Sequence, residues 1–355
     1  MIASDHSSAH LPLPALELRS LARRAAAPAL VAAAAVAVVV LAGGRVRAFT
    51  DAIQRGLGVS PGWAAVGTGF EFVSLAGYVA LLSLVVGRAT PRVGSRESAQ
   101  ITLAGIAATR LLPTAGAGGA ALTLWTLRRA GLKPVAATRT LLAFMVVLYS
   151  VFLVAIVLCG AALALGLVPS RGPAALSAVS AIAATCAITL ALALAFGRGV
   201  RAEIDAGVDA DARGRASRLR SGARLVANAV RDAVRLVRLG DPRLAGAVAY
   251  WVFDAAVLWA MLHAFDSPPA LPVVALAYCV GQVANTLPLP GSVSTGIAGV
   301  LVAFAVPIGL ALPAVLAYRA VSVWLPSPVA LAAVPGLRTT VARWGREDAA
   351  QLVQE

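Results

Sequence analysis

The chain has 355 residues, of which 59% are apolar and only 13% charged, and its mean hydropathy is +0.84. Such a composition excludes an ordinary soluble domain, in which about a quarter of the residues are charged. The net charge of +14 does not indicate nucleic acid, because the arginines sit in loops between apolar runs and no RNA- or DNA-binding module is legible. It fits basic cytoplasmic loops held to an anionic leaflet, so the expected partners are membrane lipids, anionic phospholipid foremost.

Residues 1–25 form a polar leader carrying Arg19, Arg23 and Arg24. The run that follows, PALVAAAAVAVVVLA, is either a first membrane helix, the preferred reading, or the core of a signal peptide. Further apolar runs at about 62–87, 139–166, 174–197, 243–264 and 312–334 are each long enough to cross roughly 30 Å of hydrocarbon. With the first run they predict about six full crossings and put both termini on the cytoplasmic side. The expected organisation is a cytoplasmic leader at 1–25, one transmembrane domain at 26–340 and a cytoplasmic tail at 341–355.

Two other apolar segments, about 99–127 and 271–310, are interrupted midway by RLLPTAGAGG (Arg110–Gly119) and NTLPLPGSVS (Asn285–Ser294). Proline removes a backbone donor and glycine weakens a helix, so unwound backbone is expected at both places. At membrane depth such backbone survives only beside protein or water, which predicts two broken re-entrant hairpins. The arrangement leaves most of the 30 basic residues on the cytoplasmic side, with Arg171 and the cluster Arg45, Arg47 and Arg55 outside and Arg110 and Arg319 in membrane segments. Reading either broken segment as one full crossing would invert every later loop, and reading the first so would export the arginine-rich stretch 198–242.

The fold class expected is therefore an all-α integral membrane protein containing an inverted repeat, with halves at about 62–166 and 243–334. Each half reads helix, broken hairpin, helix, and the two hairpins start from opposite sides. Positions echo between halves: Arg110, Pro113 and Gly116 match Asn285, Pro288 and Gly291 in spacing, Glu71 matches Asp254, and Arg139 matches Arg319. Between the halves, residues 216–239 put Leu219, Val226, Val230, Val234 and Val237 on one helical face beside a stripe of arginines. This helix either lies on the inner membrane surface or docks on the protein's own loops.

A charge at the bilayer centre costs at least about 2.5 kcal/mol, so Glu71, Arg110, Asp254 and Arg319 need partners or a wet cavity. One reading pairs Glu71 with Arg110 and Asp254 with Arg319. The other turns the arginines, with Gln282, Asn285 and the hairpin-tip amides at Pro113, Gly116, Pro288 and Gly291, toward a groove that receives a phospholipid headgroup. Guanidinium groups suit phosphate there, and Glu71 or Asp254 would be the proton site. Tyr149, Tyr278 and Tyr318 either line the groove or pack, and Trp63, Trp125, Trp251 and Trp324 fit interfacial belts. Cys159, Cys186 and Cys279 stand singly in apolar runs and His6, His10 and His263 are scattered, so neither a metal site nor any cofactor is expected. No HExxH, GxSxG or Walker A motif occurs, and no enzyme is expected.

From about residue 60 to residue 345 the order of features resembles the lysylphosphatidylglycerol synthase transmembrane, or flippase-like, family. The resemblance is carried by LLPTAGAGGA followed by LRRAGL, by DPRLAGAVAYWVFDAAVLWA, by NTLPLPG and by AVLAYRAVSVWLP. It implies a bacterial inner-membrane domain that moves lipids such as aminoacylated phosphatidylglycerol between leaflets, here without the cytosolic synthase domain that some members carry. Two positions depart from the family pattern: Ile297 stands where a glutamate is common after the second tip, and Arg110 where asparagine is common in the first. Outside lipid translocation, the alternatives are a non-enzymatic scaffold or regulator of envelope assembly and a secondary transporter of a small solute.

Overall fold

A helix that leaves water needs apolar sides and satisfied ends, and both are visible at each long element of the computed structural model. Residues 58–111, 117–197, 215–265, 269–286 and 291–354 are described. The leader, the first apolar run, the tip residues Pro113, Gly116 and Pro288, and residues 198–214 lie outside the described residues. Every regular element among the described residues is helical.

Helix α1 (Pro61–Gly87) opens with proline at its first turn, where no N–H is missed, and with the Ser60 hydroxyl accepting from Trp63 N. Helices α2 (Ser95–Leu111) and α3 (Ala117–Arg129) are the arms of the first broken segment. Gly131, at φ +93°, ends α3: its own N–H reaches Arg128 O and that of Leu132 reaches Leu127 O. The same cap, built on Gly166 at φ +69°, stops α4 (Pro134–Ala164). Then come α5 (Ala174–Phe196), the basic α6 (Arg215–Arg238), a 3-10 turn at Pro242–Leu244 and α7 (Ala245–His263). The second broken segment gives α8 (Leu271–Val283), a 3-10 turn at Ala284–Thr286 and α9 (Ser292–Ala303). Last are α10 (Ile308–Arg319), a π turn at Ala320–Trp324 and α11 (Pro326–Gln354).

Among the described residues, five stretches are long and apolar enough to cross a membrane: 61–87, 134–164, 174–196, 242–263 and 308–351. They coincide with the five later apolar runs of the sequence and make this a multi-pass membrane protein; the sixth expected crossing falls among residues 28–42, outside the described residues. The last stretch extends further than the sequence suggested. The helix does not stop near 334 but runs through the residues expected to form a tail, because Trp344 is buried and Thr340, Arg343 and Asp348 bind α2 and the loop before it.

The arms α2 and α3 have 17 and 13 residues, α8 and α9 have 13 and 12, so none alone spans the roughly 30 Å of hydrocarbon at 1.5 Å per residue. Each pair folds back on itself. Gly118 and Gly119 lie against Ala108, Thr109 and Gly105, and Gly296 and Ile297 lie against Gly281, which is antiparallel contact in both cases. Thr109 staples the first pair: its hydroxyl donates to Gly105 O and accepts from Gly119 N at 2.9 Å.

Small residues also let α1 and α7 meet at backbone distance. A Cβ on Gly246 would lie 2.3 Å from the carbonyl oxygen of Gly77, and one on Gly77 would lie 2.7 Å from that of Gly246. Further along, Ser74 donates to Tyr250 O at 2.9 Å, the rings of Phe70 and Phe253 are 5.6 Å apart, and Gly67 faces Met261 and Val257. The two helices therefore run antiparallel.

The two ends of the molecule differ chemically. One gathers Arg88, Arg92, Lys133, Arg139, Arg243 and Arg343 around Asp241, Asp232, Glu97 and Asp348, and the first hairpin is rooted there, with Thr90 Oγ1 donating to Ala130 O. The other carries Trp63, Trp259 and His263 stacked together, and the contact of Gly172 with Phe304. The second hairpin is rooted at that end, between His263 and α10. Neighbour relations repeat as well. The first helix of each half packs on its own hairpin, each hairpin's second arm packs on the next helix, α4 packs on α8, and α11 packs on α2.

Candidate functional site

The antiparallel crossing of α1 and α7 puts Glu71 and Asp254 at the same level, one on each helix, both buried. Hydrocarbon cannot solvate a carboxylate, so such groups survive only with donors close by. For Asp254 the donors are phenols. The Tyr278 hydroxyl, from α8, donates to Oδ2 at 2.6 Å, and the Tyr318 hydroxyl, from α10, donates to Oδ1 at 3.1 Å. Gln282, one turn after Tyr278 on α8, donates from Nε2 to the Tyr318 oxygen at 3.3 Å. A continuous chain of hydrogen bonds thus leads from a carboxylate 8% exposed to the last turn of a hairpin arm.

Aromatic packing holds this chain in place. The Tyr278 ring meets Trp251 at 6.2 Å and Tyr318 at 6.3 Å, both near perpendicular. Trp251 is itself buried, with Nε1 donating to Leu148 O at 2.7 Å, so it belongs to the interior and not to an interfacial belt. Tyr149, nearly half exposed, lies against Trp251 and Phe152.

Of the residues expected at a groove, Gln282, Tyr318 and Asp254 come together, and Glu71 lies within electrostatic range of Tyr250 and Tyr318. Arg319, half-buried, acts on Asp254 through its field, while the hydrogen bonds to that carboxylate come from the tyrosines. Asn285 and Gly291 are exposed at the facing ends of the second hairpin's arms, Gly291 at φ +78°. Arg110 closes α2, with a side chain outside the described residues; Pro113, Gly116 and Pro288 lie outside them altogether. Ile297 is fully buried, its Cγ1 2.2 Å from where a Cβ on Gly281 would stand, so it fills the seam between α8 and α9.

Two partners were not foreseen. Arg139 binds Asp232 of α6 through two nitrogens, Nη2 at 2.7 Å. Asp232 is the sole acid in α6, and an isolated acid in an arginine-rich helix was the signal available. That helix docks on α4 and α5 through Ala227, Ala229, Val230 and Ala233, while Val226, Val237 and Arg235 stay exposed. Its apolar face therefore serves the protein first, and Val230 packs inward instead of pointing to lipid. Gln100 of α2, which accepts from the Thr340 hydroxyl at 2.8 Å, was the second omission.

A family model described as the lysylphosphatidylglycerol synthase TM region matches residues 17–330. A search among curated proteins returns no match.

Proposed function

Because this chain belongs to the lysylphosphatidylglycerol synthase TM region family, membrane proteins related to lipid handling, we propose that it moves a phospholipid or lipid-linked headgroup between leaflets. The path is a groove between two re-entrant hairpins, and the observation that carries this reading is their geometry. Two pairs of helices too short to cross are rooted at chemically opposite ends, and the repeated neighbour pattern of the halves supports an inverted repeat. Broken elements bring helix N-termini with positive dipole ends to membrane depth, which suits a phosphate.

In this mechanism Arg319 and Asn285, with Arg110 on the first hairpin, receive the headgroup while the acyl chains stay in lipid. Ile297 makes the α8–α9 seam dry where the family pattern has a carboxylate, so the headgroup accepted here is more anionic than one drawn to that glutamate. The basic end faces the cytoplasm of a bacterial inner membrane, both termini are cytoplasmic, and the protein catalyses no chemical reaction. Fluorescent-lipid scrambling in proteoliposomes tests the reading. Wild type accelerates exchange of an anionic lipid, Arg319→Ala and Asn285→Ala abolish the acceleration, and an inert wild type rejects it.

The outward arginines of α6 favour a second reading, a non-enzymatic scaffold that recruits an envelope-synthesis partner at the cytoplasmic surface. Uptake of a small solute without lipid movement would favour a secondary transporter.

A further inference from the structure

The Asp254 chain is asymmetric in what it can donate. An ionised carboxylate only accepts, so it takes both tyrosine hydroxyl protons, leaving the Tyr318 oxygen free to accept from Gln282 Nε2. A proton taken from water onto Oδ1 reverses this order. Oδ1–H then donates to Tyr318, the Tyr318 proton turns toward Gln282, and the amide must present its carbonyl in place of its NH2. Two donors cannot face one another, so wherever the Tyr318 proton turns to the half-buried Gln282, and not to the neighbouring Ser322 hydroxyl, the amide flips or Gln282 leaves.

Gln282 sits three residues before Asn285, where α8 has already tightened into the 3-10 turn Ala284–Thr286. We propose that Asp254 is a proton-binding site whose occupancy sets the position of the end of α8 and its 3-10 turn, Gln282 to Asn285, through Tyr318 and Gln282. What movement there does for transport rests on the groove reading; the movement itself does not. The groups facing Asp254 are Tyr278 from α8, Tyr318 and Arg319 from α10, and Tyr250 from its own helix, with Glu71 on α1 at the same level and Tyr149 on α4 beyond Trp251. Of these, Glu71 is the other carboxyl group, and it serves as the control.

The test uses a nitroxide on Asn285→Cys, with Cys159, Cys186 and Cys279 replaced by alanine, in liposomes of phosphatidylethanolamine and phosphatidylglycerol. Accessibility of the label to a water-soluble relaxing agent is followed from about pH 5 to about pH 9, the span over which shifted carboxyl groups titrate. The expected result is a single-proton sigmoid that persists in Glu71→Gln and is abolished in Asp254→Asn. Tyr318→Phe, which keeps the ring packing, also flattens the label's response, while a carboxylic-acid infrared band that Asp254→Asn removes continues to titrate. A flat wild type overturns the proposal, as does a sigmoid unchanged in either Asp254→Asn or Tyr318→Phe. Lipid scrambling by the unlabelled wild type, with Asn285 intact, in vesicles of the same composition separates the two ideas: a pH-responsive end of α8 without scrambling keeps the proton site and rejects the groove, and scrambling over an unresponsive end of α8 does the reverse.

Discussion

Asp241 joins the 3-10 turn to the end of α1 at the basic end. Its carboxylate caps the 3-10 turn by accepting from Arg243 N at 3.0 Å, takes the Arg243 guanidinium at 2.9 Å, and lies 3.5 Å from the Arg88 guanidinium at the end of α1. Hydrogen bonds from Arg243 pull its pKa down to about 2. A depressed acid stabilises the fold fully above its ordinary pKa and loses that contribution as pH falls through the folded value. The melting difference between wild type and Asp241→Asn in detergent should therefore be constant above about pH 5, shrink below about pH 4 and vanish near pH 2. A difference that persists to lower pH would show that the side chain acts through shape and not charge. The cap is made by near neighbours, Asp241 and Arg243 being two positions apart. The pairing of Arg139 with Asp232 was not legible in the sequence, because the two lie 93 positions apart and nothing local relates them.

At the scale of elements, the α1–α7 contact decides where the acids stand. Gly77 and Gly246 bring the two backbones together, and every other contact along the crossing follows from that approach. Gly246→Leu should destabilise by about 1–3 kcal/mol or more, as overpacking does, and lower the detergent melting temperature clearly more than the same change at Gly299, whose surroundings are open. Equal effects at the two glycines would remove the crossing from its central place. Helix α6 shows a different balance. Its sequence pattern left an apolar face for lipid or for the protein's own loops, and alanines at 227, 229 and 233 are short enough to bury that face against α4 and α5. Periodicity reveals that a face is apolar without revealing which apolar surface it meets.

Across the whole molecule, one end carries arginine clasps and the other stacked tryptophan and histidine. That asymmetry argues for one orientation. A cysteine introduced at Lys133, at the basic end, should react with an impermeant thiol reagent only from the cytoplasmic side of inverted vesicles, and one at Gly166 only from the opposite side. Labelling of position 133 from outside would invert the topology and move the root of the first hairpin with it.

Composition and apolar run length were enough to establish a helical membrane protein, its five later long helices and the two places where helices break, because hydrocarbon imposes length and internal hydrogen bonding on any segment that enters it. Spacing also set Glu71 beside Asp254 in kind. Tertiary structure alone decided who binds whom: that two tyrosines from other helices hold Asp254, that Arg319 does not take it directly, and that the last helix continues past residue 334 to clasp α2. Those partners come from distant segments whose register depends on how closely glycine lets backbones approach, and that distance is a property of two packed surfaces which no single stretch of sequence contains.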